Sequence, residues 1–496
     1  MTGDGMTGNS VTGNGFTWPT STRGRLLLVL GLAAAVGLFL ATVPLHRDWF
    51  DLGVYYGTVD HWTDSGRIYD YLVPGTHYGF TYPPFAALCM LPMTLVDWPS
   101  AVAISLLLNA SAGAAILYCS AGAAIRRQGW STWFAFAVAG CLFALLEPVR
   151  DTISFGQVNL LLLALVLIDA WLLSAGRERF PRLARFAGIG IGIAAAIKLT
   201  PAVFIGYLLV TRRWRAAATA TGVATSATLL ALWVAPDASR VYWTEAMWNT
   251  DRVGSLAYVS NQSWQGVLAR LSEPDAPSRT VWALGVIVLL CLWAWRVRRA
   301  AAAGDEQTGF ALTGLLARLI SPVTWVHHLV WLLPALAVLI DTGLRAAKGG
   351  QRRRRLLRWA VAIYVALCSS VVWLWSWDAT GVDGFLGSNT YVWITLGLLL
   401  ALPVRETVGV AEVVEMPGAA EVPGAAGAAE MPAVPAVPGA AGPAEVPARR
   451  CPPPEGSATM DACAHATEYP WESRQPPRPA SPTPPASRPA PSGSDG

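Results

Sequence analysis

Residues 26 to 45 read LLLVLGLAAAVGLFLATVPL, an uncharged run of 20 residues preceded by Arg23 and Arg25. As a helix such a run reaches across roughly 30 Å of hydrocarbon, and the arginines before it hold that end in the cytoplasm. A cleaved signal peptide has a shorter apolar core and a small-residue cleavage site, so the run predicts an uncleaved first span. The pattern then recurs. Further spans fit near 101–124, 131–147, 157–175, 214–235, 280–297, 309–321, 325–342, 356–376 and 389–404, with 309–321 short for a crossing. Two apolar stretches do not fit a simple crossing: 83–96, with Pro at both ends, and 186–210, broken at Lys198 and Pro201. Short or broken helices at membrane depth are tolerated where they line a cavity.

The composition agrees. Of 496 residues 53% are hydrophobic and 14% charged, against roughly 25% charged in a soluble domain. The fold class expected is an all-α polytopic membrane protein. A net charge of +4 is too small to argue for a nucleic-acid partner. The basic residues instead cluster in short loops: Arg126/Arg127, Arg177 to Arg185, Arg212 to Arg215, Arg296 to Arg299 and Arg352 to Arg355. All fall on the cytoplasmic side if 83–96 and 186–210 each return to the face they left. The opposite loops, 46–82, 148–156, 236–279, 322–324 and 377–388, then face outward and hold most of the interesting polar residues. Trp49, Trp98, Trp130, Trp243 and Trp377 lie beside the apolar runs, where indoles favour the headgroup region.

Residues 1–22 repeat a Thr-Gly unit, and 405–496 are rich in Pro, Ala and Gly. Neither has an apolar face to offset its ordering entropy, so both are expected to be disordered and cytoplasmic around a membrane domain over 23–404. Five of the seven Cys fall in apolar runs and two in the tail, which gives no disulfide or zinc framework.

Several outward residues are candidates for chemistry. Asp51 lies in HRDWFDLGVYYGTVDHWTDSGRIYDYL (46–72), about one helical turn beyond the first span, among acids that otherwise read as a solvated face. Tyr82 precedes Pro83 and Pro84 at the start of a short apolar segment. In EPVRDTISFGQVN (147–159), Arg150, Gln157 and Asn159 sit where two spans meet. Arg150 suits either a phosphate or a local ion pair with Asp151 or Glu147. Lys198 lies within AAAIKLTPAVF (194–204), where insertion costs roughly 2.5 to 3.5 kcal/mol. It either meets an anionic lipid phosphate at the tip of a hairpin or snorkels. Asn261, Gln262 and Trp264, in SNQSWQGVLARL, pair amides with an indole and suit a sugar. His327 and His328 point in different helical directions, so a shared metal is not expected, and no HExxH spacing occurs. Walker, GxSxG and DxD patterns are absent, and no GxGxxG opens a soluble nucleotide domain.

Six segments together carry a resemblance: DLGVYYG (51–57), FTYPPFAAL (80–88), GQVNLLLLALVLID (156–169), GIAAAIKLTPAVF (192–204), SNQSWQGVLAR (260–270) and SPVTWVHHLVWLLPAL (321–336). In order and spacing they resemble glycosyltransferase family 87, the polyprenol-phosphate-mannose-dependent alpha-mannosyltransferases of the bacterial envelope. The resemblance runs from about residue 25 to residue 404. It implies a GT-C bundle with outer-face interfacial helices and a cavity open to the periplasm. It also implies a polyprenyl phosphomannose donor and transfer with inversion, most often to an alpha-1,2 linkage on a glycolipid or lipoglycan acceptor. Asp51 matches the family's general base, and His327 and His328 match its paired histidines. Lys198, Arg150 and the histidines would then stabilise charge on the departing phosphate without a metal or other cofactor. A related transferase using another lipid-linked sugar, or a lipid-linked sugar flippase, shares the helix count. The flippase should show paired inverted repeats, which the sequence lacks.

Overall fold

The computed structural model describes residues 19–43, 47–248, 253–273 and 275–405. Disorder expected for 1–22 and 405–496 falls outside these residues except at the inner edges, where the structure corrects it. The Ser21 hydroxyl accepts the Gly24 N–H and caps a helix over Thr22–Thr42. At the other edge Arg405 is ion-paired to Asp305 and Asp341. The folded body therefore extends slightly beyond 23–404 at both ends.

Every regular element among the described residues is helical, and the lone extended pairing is a single bridge between Leu72 and Gly79. Five helices are long and apolar enough to cross a membrane: Thr22–Thr42, Trp98–Arg127, Trp214–Val234, Arg279–Ala302 and Val326–Arg345. Two bent pairs raise the number to 7: Thr132–Leu145 with Glu147–Phe155, bent by 74°, and Gly381–Ser388 with Thr390–Ala401, bent by 60°. The sequence suggested ten crossings. The inner helices make up most of the difference. Asn159–Leu173 and Glu306–Ile320 have 15 residues each, fewer than the roughly 20 of a lipid-facing span, and their apolar side chains pack on protein. Gln351–Ser369 carries Arg352 to Arg355 in its first turns.

Burial separates the two classes. Only 6% of the Thr22–Thr42 window is buried, against 83% for Val326–Arg345. Leu26, Leu27, Leu30 and Leu38 on the first helix stay exposed, as do Leu107, Leu229 and Val288 on other outer helices. Apolar positions of that kind are stable against lipid and unfavourable against water.

One end of the bundle is tied by charge. Asp341 holds Arg127, Arg345 and Arg405, while Asp305 holds Arg405 and Glu306 holds Arg213. This is the end bearing the Arg-rich loops. His328 lies 13 residues before Asp341 along the same Val326–Arg345 segment, a helical rise of about 20 Å, so the elements around His328 lie toward the opposite end.

Both stretches set apart from the simple crossings are short or broken helices. Pro84–Met90 is a short helix running into a 3-10 turn over Leu91–Leu95. Ile189–Ile197 ends at Lys198, whose backbone is extended, and the chain restarts through Thr200–Ala202 into Val203–Val210. The buried Asp169 accepts the Ile191 N–H at 2.7 Å, which satisfies a donor at the start of Ile189–Ile197.

Candidate active site

Asp51 occupies the first turn of the helix Phe50–Ser65. Before it, Asp48 and Trp49 both adopt positive φ, 47° and 58°. Such strain in successive non-glycine residues persists only where surrounding contacts fix it. Here the Trp49 N–H donates to Ser154 O at 3.0 Å. Gly156 completes the anchor. Its φ is +71°, and a Cβ there would lie 2.5 Å from Leu52 Cβ, so only glycine lets the turn approach the helix beside Asp51.

That turn delivers Gln157 to the site. The Gln157 amide hydrogen-bonds the Asp51 carboxyl, and its Oε1 accepts from Tyr82 Oη at 2.9 Å and Asn159 Nδ2 at 3.2 Å. Tyr82 Oη also lies 3.0 Å from Tyr55 Oη and 3.1 Å from Lys198 Nζ. Lys198 further meets Asn159 Oδ1 at 3.1 Å and His328 Nε2 at 3.0 Å. One connected set of hydrogen bonds thus runs from Asp51 to His328. Burial pushes the Asp51 carboxyl up to about 6, opposed by the Gln157 hydrogen bond and by Lys198 when that amine carries a charge. A carboxylate so tuned can accept a proton near neutral pH, and Lys198 offers an anion partner a few side chains away.

His327 flanks this set. Its carbonyl accepts from Thr152 Oγ1 at 3.0 Å, its ring packs edge-on to Phe155, and its buried Nε2 has no hydrogen-bond partner among the described residues.

Four candidates fall elsewhere. Arg150 bonds Cys368 O and Ser370 Oγ and lies over the Phe39 ring, so it braces helices and does not reach the Lys198 cluster. Asn261 is fully buried. Its amide donates to Leu256 O and Pro322 O, and its Oδ1 accepts the Thr324 N–H. Gln262, also fully buried, joins Val259, Ser388 and Val392. Neither has a polar atom left for a sugar. Trp264 packs its indole on Gly285 of Arg279–Ala302.

The structure adds Tyr55, Thr152 and Arg318 to the neighbourhood. Arg318, 2% exposed, acts electrostatically on both Lys198 and His328. Among the described residues no group of three His, Cys, Asp or Glu side chains comes together as a metal site.

The chain matches glycosyltransferase family 87 over residues 80–322. A Mycolicibacterium smegmatis protein is 32% identical over 71% of this chain and 82% of its own length. The chain belongs to glycosyltransferase family 87. It is therefore a membrane transferase of sugars. The M. smegmatis relative is a polyprenol-phosphate-mannose-dependent alpha-(1-2)-phosphatidylinositol pentamannoside mannosyltransferase. A Mycobacterium tuberculosis family relative, 33% identical over 60% of this chain and 71% of its own, is the corresponding phosphatidylinositol mannoside mannosyltransferase. No solved structure matches the chain.

Proposed function

We propose that this family 87 member transfers mannose from polyprenyl phosphomannose to a phosphatidylinositol mannoside or a related envelope glycolipid, forming an alpha-1,2 linkage with inversion. The observation that carries the reading is the hydrogen-bonded path from Asp51 through Gln157 and Tyr82 to Lys198. It spaces a base and a cationic group along one hydrogen-bonded path. The relatives' donor and acceptor supply the substrate class.

In the reaction, an acceptor hydroxyl oxygen attacks the anomeric carbon while the bond from that carbon to the phosphate oxygen breaks. Asp51 takes the hydroxyl proton, and the bonding pair leaves with the lipid phosphate. Aligned proton removal contributes about 10²- to 10⁴-fold. Lys198, with His328 beside it, meets the charge growing on the phosphate. Tyr82 and Asn159 hold the Lys198 amine, and Gln157 orients the Asp51 carboxylate. The leaving group is a single phosphate tethered by its own lipid, so cationic side chains serve where a metal would otherwise be needed.

The site opens to the extracytoplasmic face, with both termini in the cytoplasm. The Arg-rich loops and the Asp341 network share the end away from His328, and Lys and Arg concentrate in cytoplasmic loops.

The test is transfer of radiolabelled mannose from polyprenyl phosphomannose to a mannoside-bearing lipid extract by purified protein, with a chelator present. Labelled lipid released by alpha-mannosidase is the expected product. Label arriving only from another donor, or only after metal is restored, would contradict the reading.

A further inference from the structure

Lys198 and His328 constrain each other's protons. His328 Nδ1 accepts the Trp325 N–H at 3.1 Å, so the one proton of a neutral ring lies on Nε2. That nitrogen is 3.0 Å from Lys198 Nζ, which also lies 3.1 Å from Tyr82 Oη and 3.1 Å from Asn159 Oδ1. An ammonium has three donors and no acceptor. It would set N–H against N–H at His328. The neutral amine fits all three contacts, giving its two hydrogens to Tyr82 and Asn159 and accepting Nε2–H with its lone pair. Tyr82 stays balanced, because it accepts from Lys198 and Tyr55 and donates to Gln157.

The charged groups facing Lys198 are Asp51, from Phe50–Ser65, and Arg318, from Glu306–Ile320. The titratable groups are Tyr82, His327 and His328. Asp51 attracts a charge on Nζ and Arg318 repels it. Arg318 itself has no counter-ion among the described residues. Among the described residues nothing hydrogen-bonds its guanidinium, Nε is sealed from solvent, and the nearest aromatic support is the Trp331 ring at 5.7 Å. A buried guanidinium left unpaired is strongly unfavourable. An anion beside Lys198 and His328 would supply what it lacks.

We infer that Arg318 is a binding residue for the donor's phosphodiester, and that Lys198 rests as the neutral amine and takes up one proton from solvent when that phosphodiester arrives. This rests on the donor reading above. No covalent bond changes in the step. The new ammonium donates to a phosphate oxygen, and His328 Nε2–H, released from the amine, is free to donate to another. Arg318 is the standing charge, and Lys198 becomes charged only when its counter-ion is present.

The experiment uses the full chain carrying Asp51→Asn, reconstituted in lipid nanodiscs, with short-chain polyprenyl phosphomannose. Because that donor is a diester, its own charge is fixed across neutral pH. Calorimetric titration at pH 8 in two buffers of different ionisation enthalpy counts protons per donor bound, and about one is expected. Adding His328→Gln, whose carbonyl accepts from an ammonium, should bring the count near zero, with donor binding weakened but still measurable. Adding Arg318→Gln should weaken binding about tenfold or more with the proton count kept, and Arg318→Lys should recover much of it. Binding with no proton uptake in the parent would overturn the Lys198 assignment, whatever the Arg318 variants do. Undiminished affinity in a folded Arg318→Gln protein would overturn the Arg318 assignment. No binding of this donor to the parent would instead bring down the donor reading itself.

Discussion

Tyr82 donates its phenolic hydrogen to Gln157 Oε1 at 2.9 Å, and the same Gln157 side chain hydrogen-bonds the Asp51 carboxyl. One amide therefore couples the proposed base to the residues that hold Lys198. Its donor end stabilises the ionised carboxylate while burial opposes it, and burial wins.

That balance fixes a pH dependence. Asp51 must be deprotonated to accept the hydroxyl proton, and its carboxyl sits at about 6. The kcat/KM for transfer should fall below about pH 6, tenfold per pH unit. Because the folded value lies above the ordinary 3.8, ionising Asp51 opposes folding, and stability falls as pH rises between about 4 and 6. A pH-rate profile measured beside a thermal unfolding series checks both signs.

Gly156→Ala should disturb the site without touching any polar group in it. The added Cβ meets Leu52 at 2.5 Å, and φ is +71°, which together cost about 1–3 kcal/mol. We expect a lowered melting temperature and reduced transfer in the fraction that stays folded, as Asp51 and Gln157 move apart.

Asn261→Ala and Gln262→Ala separate support from sugar binding. Asn261 satisfies the Thr324 N–H and two carbonyls, and a buried partner left unsatisfied costs about 1–3 kcal/mol. Both variants should melt earlier while KM for the donor stays unchanged. A raised KM with unchanged stability would return these amides to the substrate.

Much of this was legible in the sequence because membrane insertion is written in composition. Apolar runs and arginine clusters gave the all-helical bundle, and a charge inside such a run gave Lys198. Which apolar runs face lipid was not legible. An apolar run looks the same whether lipid or protein covers it, and Asn159–Leu173 and Glu306–Ile320 are covered by protein. Arg318 carries the same signal as Lys198, a cation in an apolar run, but near the end of a short one, where snorkelling explains it. Asn261 and Gln262 were legible as polar residues in an outward loop. That their bonds close on Pro322, Thr324, Ser388 and Val392 depends on long-range packing that spacing does not encode.

Asp341→Ala tests the opposite end of the bundle. The carboxylate holds Arg127, Arg345 and Arg405, and removing the acid from a largely buried cluster costs about 3 kcal/mol. Thermal unfolding in detergent should show the loss, while KM for the donor in the folded fraction remains that of the parent, about 20 Å away.

The most direct test of the central claim compares the parent with Asp51→Asn for both donor binding and mannose transfer, in the same preparation. The variant keeps the side chain's size and its contact with Gln157 but removes its basicity. Donor binding within a few-fold of the parent, with transfer lowered about 10²- to 10⁴-fold, is the predicted result. Full transfer by a folded Asp51→Asn protein would contradict the assignment of Asp51 as the base.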